Sequence, residues 1–342
     1  MGVNLTPVIV KHTTTLATFR GKVLAVDAPT ELYQFLALIR GPDGRPLQDR
    51  QGRVTSHLVG LMFRTTRLLS AHDIRPIFVF DGPPPSFKQR TLEERRLAKA
   101  RAEREWEAAT AAGDRARAWS KAVMTAHLSR PLLADAKHLL GLLGIPWLDA
   151  PSEAEAQAAY MAQQGVVWAA ASKDYDALLF GTPRLARFVT IAGSEFLPSK
   201  GTSRRVEPEL IELEECLGRW GMTRAQLVDA ALLVGTDFTP GIHGVGPKRA
   251  LALLHRYRNL ENLPRELHEQ LPPNHGEVRD FFLHPPVRDD YHLAYGQPDE
   301  RGLFQFLCDE RDFARERVRT VVERMRRVFT RGKQTALSGW MT

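Results

Sequence analysis

Short apolar runs that end in a carboxylate recur along the chain. Residues 21–27 read Gly-Lys-Val-Leu-Ala-Val-Asp, and residues 74–82 read Ile-Arg-Pro-Ile-Phe-Val-Phe-Asp-Gly. Residues 165–171 run Gly-Val-Val-Trp-Ala-Ala-Ala into Ser172-Lys173-Asp174-Tyr175-Asp176. Near-continuous apolar runs of this length predict strands buried on both faces of a parallel sheet. Between them, apolar positions at helical spacing predict helices over 31–39, 56–70, 132–143 and 153–164. The alternation predicts an α/β fold, a mostly parallel central sheet flanked by helices. In such a sheet the carboxyl ends of the strands share one crevice, where ligands bind. Three runs ending in Asp would place Asp27, Asp81 and Asp174 there together.

Residues 83–130 break the alternation. Pro83-Pro84-Pro85 opens the segment, and a charged helical stretch follows over 91–110, with Gly113-Asp114 as a break. A second short helix is expected over 115–127. With few apolar positions this segment has no core of its own. A solvated hairpin laced with i,i+4 ion pairs accounts for Arg101 to Glu107. It accounts less well for Lys88, Arg90, Arg95 and Arg96, which follow Asp81 closely and suit a basic arch over the crevice. Residues 223–262 read as helix, Gly-rich turn, helix, and an arginine-dense helical region closes the chain.

Composition narrows the classes. Of 342 residues, 43% are hydrophobic and 25% charged, which excludes a disordered or collagenous chain. No stretch approaches the roughly 18 uncharged apolar residues of a membrane span. The net charge of +7, from 47 Lys+Arg against 40 Asp+Glu, suits a polyanionic partner as well as a plain basic surface. Two cysteines, Cys216 and Cys308, form no CxxC and support neither zinc nor a disulfide framework. No signal-peptide pattern is present at the N-terminus. Residues 1–6 match the loose myristoylation pattern, which is short enough to arise by chance.

The carboxylates at element ends are Asp27, Asp81, Glu153, Glu155, Asp174, Asp176 and Asp237. Singly, each has a structural explanation: turn residues after strands, or a capping box with Ser152 as N-cap and Glu155 at N3. Seven in one crevice would repel unless protonated or neutralised by cations. Hard divalent ions with oxygen ligands are the natural neutraliser, and Mg²⁺ shares carboxylates with phosphates. Two Mg²⁺ ions about 4 Å apart suit in-line displacement at phosphorus. The turn Gly244-Val245-Gly246-Pro247-Lys248-Arg249 follows Gly235-Thr236-Asp237 closely. Its glycines let backbone N–H groups approach a phosphate, although the Walker A spacing is missing and a plain helix-joining turn has the same form.

These blocks, in order, resemble the flap endonucleases of the archaeal and eukaryotic type, within the structure-specific 5′ nucleases. The resemblance spans the chain. It rests on Ala25-Val26-Asp27-Ala28 with Tyr33-Gln34-Phe35-Leu36, on Gly52 to Leu58, and on Phe78-Val79-Phe80-Asp81-Gly82. It continues through Ala150-Pro151-Ser152-Glu153-Ala154-Glu155, Asp174-Tyr175-Asp176, Gly235-Thr236-Asp237 and Gly244 to Lys248. It implies that the seven acids hold two Mg²⁺ ions and that Lys88 and Arg95 act at the scissile phosphate. It further implies that Tyr33 stacks on a DNA base, and that Arg40, Arg64 and Arg67 contact phosphates. Gly2 should lie near the active site, leaving no room for a lipid. The turn, with Gly235, Gly244, Gly246, Lys248 and Arg249, is similar to a helix–turn–helix that grips duplex backbone with a bound K⁺; Gly241 replaces a hydroxyl residue there.

The substrate implied is a 5′ flap on branched DNA, cut near its base in replication and repair, with some 5′ exonuclease activity. The tail Gln334-x-x-Leu337-x-x-Trp340-Met341 resembles the peptide that binds a ring-shaped sliding clamp (PCNA type), with Met341 where an aromatic residue is more usual. The expected organisation is a nuclease core over 1–222 with an arch over 83–130, a duplex-binding helix pair over 223–262, helices over 263–330 and a clamp tail over 331–342. A monomer without membrane association is expected, archaeal and cytoplasmic, or nuclear in a eukaryote. The rivals are a junction resolvase of the same superfamily, an inactive DNA- and clamp-binding scaffold, and an RNA-directed nuclease.

Overall fold

The computed structural model describes residues 2–41, 44–114, 117, 120–121, 128–197 and 202–338, with backbone alone at Arg95, 194–197, 202–204 and 330–338. Seven strands form the main sheet: β1 His12–Thr13, β2 Val23–Asp27, β3 Arg75–Phe80, β4 Trp147–Asp149, β5 Ala169–Ala171, β6 Arg184–Arg187 and β9 Glu209–Glu212. A separate hairpin pairs β7 Gly193–Leu197 with β8 Thr202–Val206. The sheet order is β1-β9-β6-β5-β2-β3-β4. β6, β5, β2, β3 and β4 run parallel, and β9 and β1 join antiparallel at one edge. The chain passes from β2 to β3 and β4 on one side, then returns to β5 on the other. The switch point therefore lies between β2 and β5, with Asp27 at its carboxyl end.

Alternation along the strands feeds two apolar layers. Ala25, Ile77, Val79, Ala170 and Leu185 face one layer, while Leu24, Val26, Phe78, Phe80, Ala169 and Ala186 face the other. The second layer is closed by α1 Ala28–Leu38, α2 Ser56–Gly60, α3 Thr66–His72, α5 Arg130–Leu142 and, farther on, α14 Arg315–Ser338. The helix from Ser56 to His72 contains a π turn, Leu61–Thr65, which carries Arg64. Such turns insert one residue and re-aim the side chains beyond them. Between α3 and α5 in the chain runs the long charged helix α4, Gln89–Ala111, which contains the helical stretch expected over 91–110. Of the expected second arch helix, only residues 117, 120 and 121 are described, and Lys121 pairs with Glu105 at 2.5 Å.

The first layer receives α6 Ala154–Gln163, α7 Asp176–Leu179, α8 Leu213–Trp220, α9 Arg224–Val234, α10 Pro247–Tyr257, α11 Arg265–His268 and α12 His275–Leu283, while α13 Glu300–Leu303 buries Leu303 in the second. Buried alanines of α6 let it lie close on the sheet. α9 starts at a capping box between Thr223 and Gln226 and packs on α10. The helices of residues 224–283 thus share one apolar layer with the sheet.

Two expectations need correction. The run 165–171 yields a strand only at Ala169–Ala171, because Gly165 at φ +71° ends α6 and Val166 is exposed. Ser152 is not the N-cap of α6. Glu153 holds that position without a side-chain cap bond, and the Ala154 N–H donates instead to Asp81 at 2.8 Å.

α1 reaches its position through Gly60. A Cβ there would overlap the ring of Phe35, which is fully buried. Gly60→Ala is expected to lower stability by about 2 kcal/mol through overpacking. Urea denaturation measures this, and an unchanged midpoint would show that α1 and α2 can separate freely.

Candidate active site

The sheet delivers its carboxylates to one edge, and the chain's own donors set their orientation. Asp27 ends β2 and is also the N-cap of α1, accepting the Thr30 N–H at 3.2 Å. Its other oxygen accepts from the Ser172 hydroxyl at 3.0 Å, across the switch point. Burial, and then the Asp81 charge, push its carboxyl up to about 7. Asp81 follows β3 and caps α6 from outside that helix. The adjoining Gly82 donates its N–H to the Ser152 carbonyl at 2.6 Å, and a Cβ there would overlap the Ala150 carbonyl. Only glycine lets the segment after β3 lie this close to residues 150–152.

Glu153 and Glu155 open α6. Glu153 accepts from Lys88 Nζ at 2.5 Å, and burial nonetheless holds its carboxyl above the ordinary range. Glu155 is driven well above that range by burial and by Asp176, Asp27 and Asp174 in turn. Its Oε1 is buried without a hydrogen-bond partner. Asp174 donates its N–H to Ser172 Oγ at 3.2 Å. Asp176 starts α7 and accepts the Val3 N–H at 2.7 Å. Burial, Asp237 and Asp174 push Asp176 up to about 7. Asp237, in the turn after α9, sits within electrostatic reach of Asp176, Lys88 and Glu153.

Lys88 completes this group from the arch side. It ends the 3₁₀ turn Ser86–Lys88 and is only 8% exposed. Burial lowers its pKa, but Glu153, Asp81 and Asp237 outweigh that and hold it above the ordinary lysine value. Its Nζ also lies 5.6 Å from the Phe238 ring centroid. The structure thus brings all seven predicted carboxylates and Lys88 into one electrostatic cluster. Among the described residues, no three His, Cys, Asp or Glu side chains converge as a ready-made metal cage.

The other expected site residues surround this cluster at varying range. Gly2 lies against Asp176, and a Cβ there would come within 2.5 Å of its Oδ1. Tyr33 projects from α1 and is 45% exposed. Arg40 is turned inward, donating to the carbonyls of Ala37 at 3.2 Å and Gly44 at 2.8 Å. Arg64 is half-buried near the carboxylate of Glu31, and Arg67 is exposed. Arg95 lies in α4, four turns before its end. Gly235 and Gly244 take φ +103° and +76°, and Gly246 is the N-cap of α10, which carries Lys248 and Arg249. Gly241 packs so closely on Val234 that a Cβ would overlap that backbone, so the turn itself requires glycine there. Gln334 and Leu337 lie on the backbone of α14, while Trp340 and Met341 fall outside the described residues.

The chain is similar to known proteins along nearly its whole length. The XPG N-terminal domain matches residues 1–102 and the XPG I-region residues 144–237. Flap endonuclease 1 of Pyrococcus abyssi is 47% identical over 342 residues, covering 99% of this chain and 98% of its own. The chain belongs to the flap endonuclease family. That of Archaeoglobus fulgidus is 45% identical over 341 residues, covering 99% of this chain and all of its own. Among solved structures, flap endonuclease-1 from Methanococcus jannaschii superposes with a TM-score of 0.76 at 37% identity, covering 97% of this chain and 100% of that one. Among the described residues, no helix is long and apolar enough to cross a membrane.

The raised carboxyls make a sign-definite prediction. Asp27 and Asp176 sit near 7 in the folded chain against an ordinary value of 3.8. Between those values the folded state binds more protons than the unfolded state. Their contribution is fully present below the unfolded pKa and is lost as pH rises through the folded one. In EDTA the melting temperature should therefore fall from about pH 5 to about pH 8. If these carboxyls bind Mg²⁺, the ion should raise it more at the higher pH, where they are deprotonated. A Mg²⁺ shift independent of pH would contradict the assignment.

Proposed function

We infer that this chain is a structure-specific 5′ flap endonuclease of branched DNA whose seven clustered carboxylates hold two Mg²⁺ ions. The observation that carries the reading is the mutual repulsion at the sheet edge, incompletely offset by Lys88. The donor set is all oxygen, as a hard divalent cation requires, and the unpartnered Glu155 Oε1 supplies a buried acceptor facing no protein donor. Two such ions, when bound, lower the pKa of an attacking water and stabilise the leaving oxygen at phosphorus.

The chain's own residues do the rest. Lys88, released from Glu153 or shared with it, presents a fixed positive charge to a phosphate entering the crevice. Arg95, on α4, would add a second. Tyr33 offers an exposed ring on which a base can stack. Arg64 and Arg67 on one side and Lys248 and Arg249 on the other would hold phosphates of the duplex arms, with Arg40 joining them only by turning out of its contacts with Ala37 and Gly44. The turn between α9 and α10 offers backbone N–H groups to the same backbone, with K⁺ as a candidate bridging ion. Gln334, Leu337, Trp340 and Met341 would dock on a sliding clamp through one apolar face. A role in replication and repair follows from that substrate and that partner. The archaeal origin of relatives such as those of Pyrococcus abyssi and Archaeoglobus fulgidus supports a cytoplasmic setting.

Cleavage of an end-labelled double-flap DNA tests the reading, with EDTA and four-way-junction controls. A single Mg²⁺-dependent cut near the flap base is expected, with the junction cut far more slowly; preferential cutting of the junction would favour the resolvase reading. Asp81→Ala should abolish cleavage and retain flap binding, and normal turnover in that variant would refute the metal assignment. Lys88→Ala should lower the single-turnover rate on the order of 10²-fold with affinity nearly unchanged. An equal loss of rate and affinity would mean that Lys88 only grips DNA.

A further inference from the structure

Arg187 ends β6, one strand away from the switch point, and has no part in the reading above. It is 8% exposed. Its Nε donates to the Lys173 carbonyl at 2.9 Å, and its Nη1 donates to the Tyr175 hydroxyl at 2.9 Å and to Glu209 Oε2 at 2.5 Å. The residue on each side of Asp174 is thus tied to the same guanidinium. That guanidinium also lies between two rings, 4.2 Å from the Tyr175 centroid and 4.6 Å from that of Phe188. Phe188 has φ +61°, a left-handed conformation that aromatic residues rarely adopt. Such backbone persists only where its surroundings over-determine it. Glu209 is held in turn by Lys11 at 2.5 Å. The Tyr175 hydroxyl also receives the Thr6 hydroxyl at 3.4 Å, and this same N-terminal segment supplies the Val3 N–H to Asp176.

A buried ion pair is a poor device for stability, since apolar residues of equal volume often serve as well. What it supplies here is direction. The planar fork of arginine fixes two hydrogen bonds at a set angle, which lysine cannot reproduce. We propose that Arg187 is a positioning residue for the carboxylate loop 172–176, holding Asp174 and Asp176 in the geometry that receives divalent cations. The proposal rests on the reading that these two aspartates are metal ligands. It makes Arg187, Tyr175 and Glu209 the outer support of that half of the site, as partners behind metal ligands commonly are.

The test compares Arg187→Lys, Tyr175→Phe and Asp174→Ala with the unaltered chain. Mn²⁺ affinity is read by calorimetry, flap affinity in EDTA, thermal melting directly, and single-turnover cleavage against Mg²⁺ concentration. Arg187→Lys keeps the charge beside Glu209 and loses the fork. It should weaken Mn²⁺ binding about tenfold or more, leave flap affinity within about twofold, and regain rate at high Mg²⁺. Tyr175→Phe removes one hydroxyl from an intact core, and should weaken Mn²⁺ binding in the same direction by less. Unchanged Mn²⁺ affinity in either variant overturns the proposal. So does a parallel loss of Mn²⁺ affinity, flap affinity and melting temperature in Tyr175→Phe, which would mark a packing role only. Undiminished Mn²⁺ binding in Asp174→Ala would overturn the metal reading itself. A loss there with none in Arg187→Lys overturns the role of Arg187 alone.

Discussion

Repulsion among buried carboxylates governs the carboxyl edge of this sheet. Asp27 and Asp176 are buried, Glu155 is half-buried with its Oε1 enclosed, and each is pushed toward its protonated form by desolvation and by its neighbours. The chain answers with local positive potential. Asp27 sits at the N-terminus of α1, Asp81 and Glu153 at that of α6, and Asp176 opens α7. Helix N-termini present unpaired N–H groups and favour anions. Lys88 adds one full charge. The helix ends and one lysine offset part of the charge of the seven carboxylates without matching it, and the residual repulsion sets this edge apart from the rest of the sheet.

The scaffold around that edge is built for close approach. The alanines of β5 and α6 and the glycines at 2 and 82 let backbone segments meet where any larger side chain would intrude. The two apolar layers then fix the sheet from both sides, so the strand ends cannot splay to relieve the repulsion. Stability elsewhere in the fold sustains a locally unfavourable arrangement, the usual relation between a scaffold and its functional site.

Much of this was legible in the sequence, and the rest was hidden for physical reasons. Apolar runs ending in Asp27 and Asp81 announce buried strands and a shared crevice, because parallel strands align their carboxyl ends. The start of α6 misled, since Ser152 to Glu155 has the spacing of a capping box. The true cap comes from Asp81, 73 residues away, and no local pattern can encode it. The π turn bearing Arg64 keeps a helical apolar spacing on both sides and so reads as plain helix. Arg187 stands in an ordinary strand sequence and pairs with Glu209 only once β6 and β9 lie side by side. The left-handed Phe188 carries none of the Gly or Asn signal that usually marks such a turn. The need for glycine at 241 appears only in the packing of Val234 against it.

The placement of the candidate DNA groups constrains the substrate further. Tyr33 and Arg64 belong to helices packed on one face of the sheet, whereas Lys248 and Arg249 open a helix packed on the other. The carboxylate edge lies between them. A single-stranded DNA could engage one face and still reach the edge, so groups on both faces would be redundant for it. A branched DNA has two duplex arms meeting at a junction. Bound to both faces at once, it would bring that junction to the edge, where Lys88 and the carboxylates stand. On this reading, selectivity for a branch arises from the spacing of the two helical layers across the sheet, and the carboxylate edge acts only on what that spacing delivers.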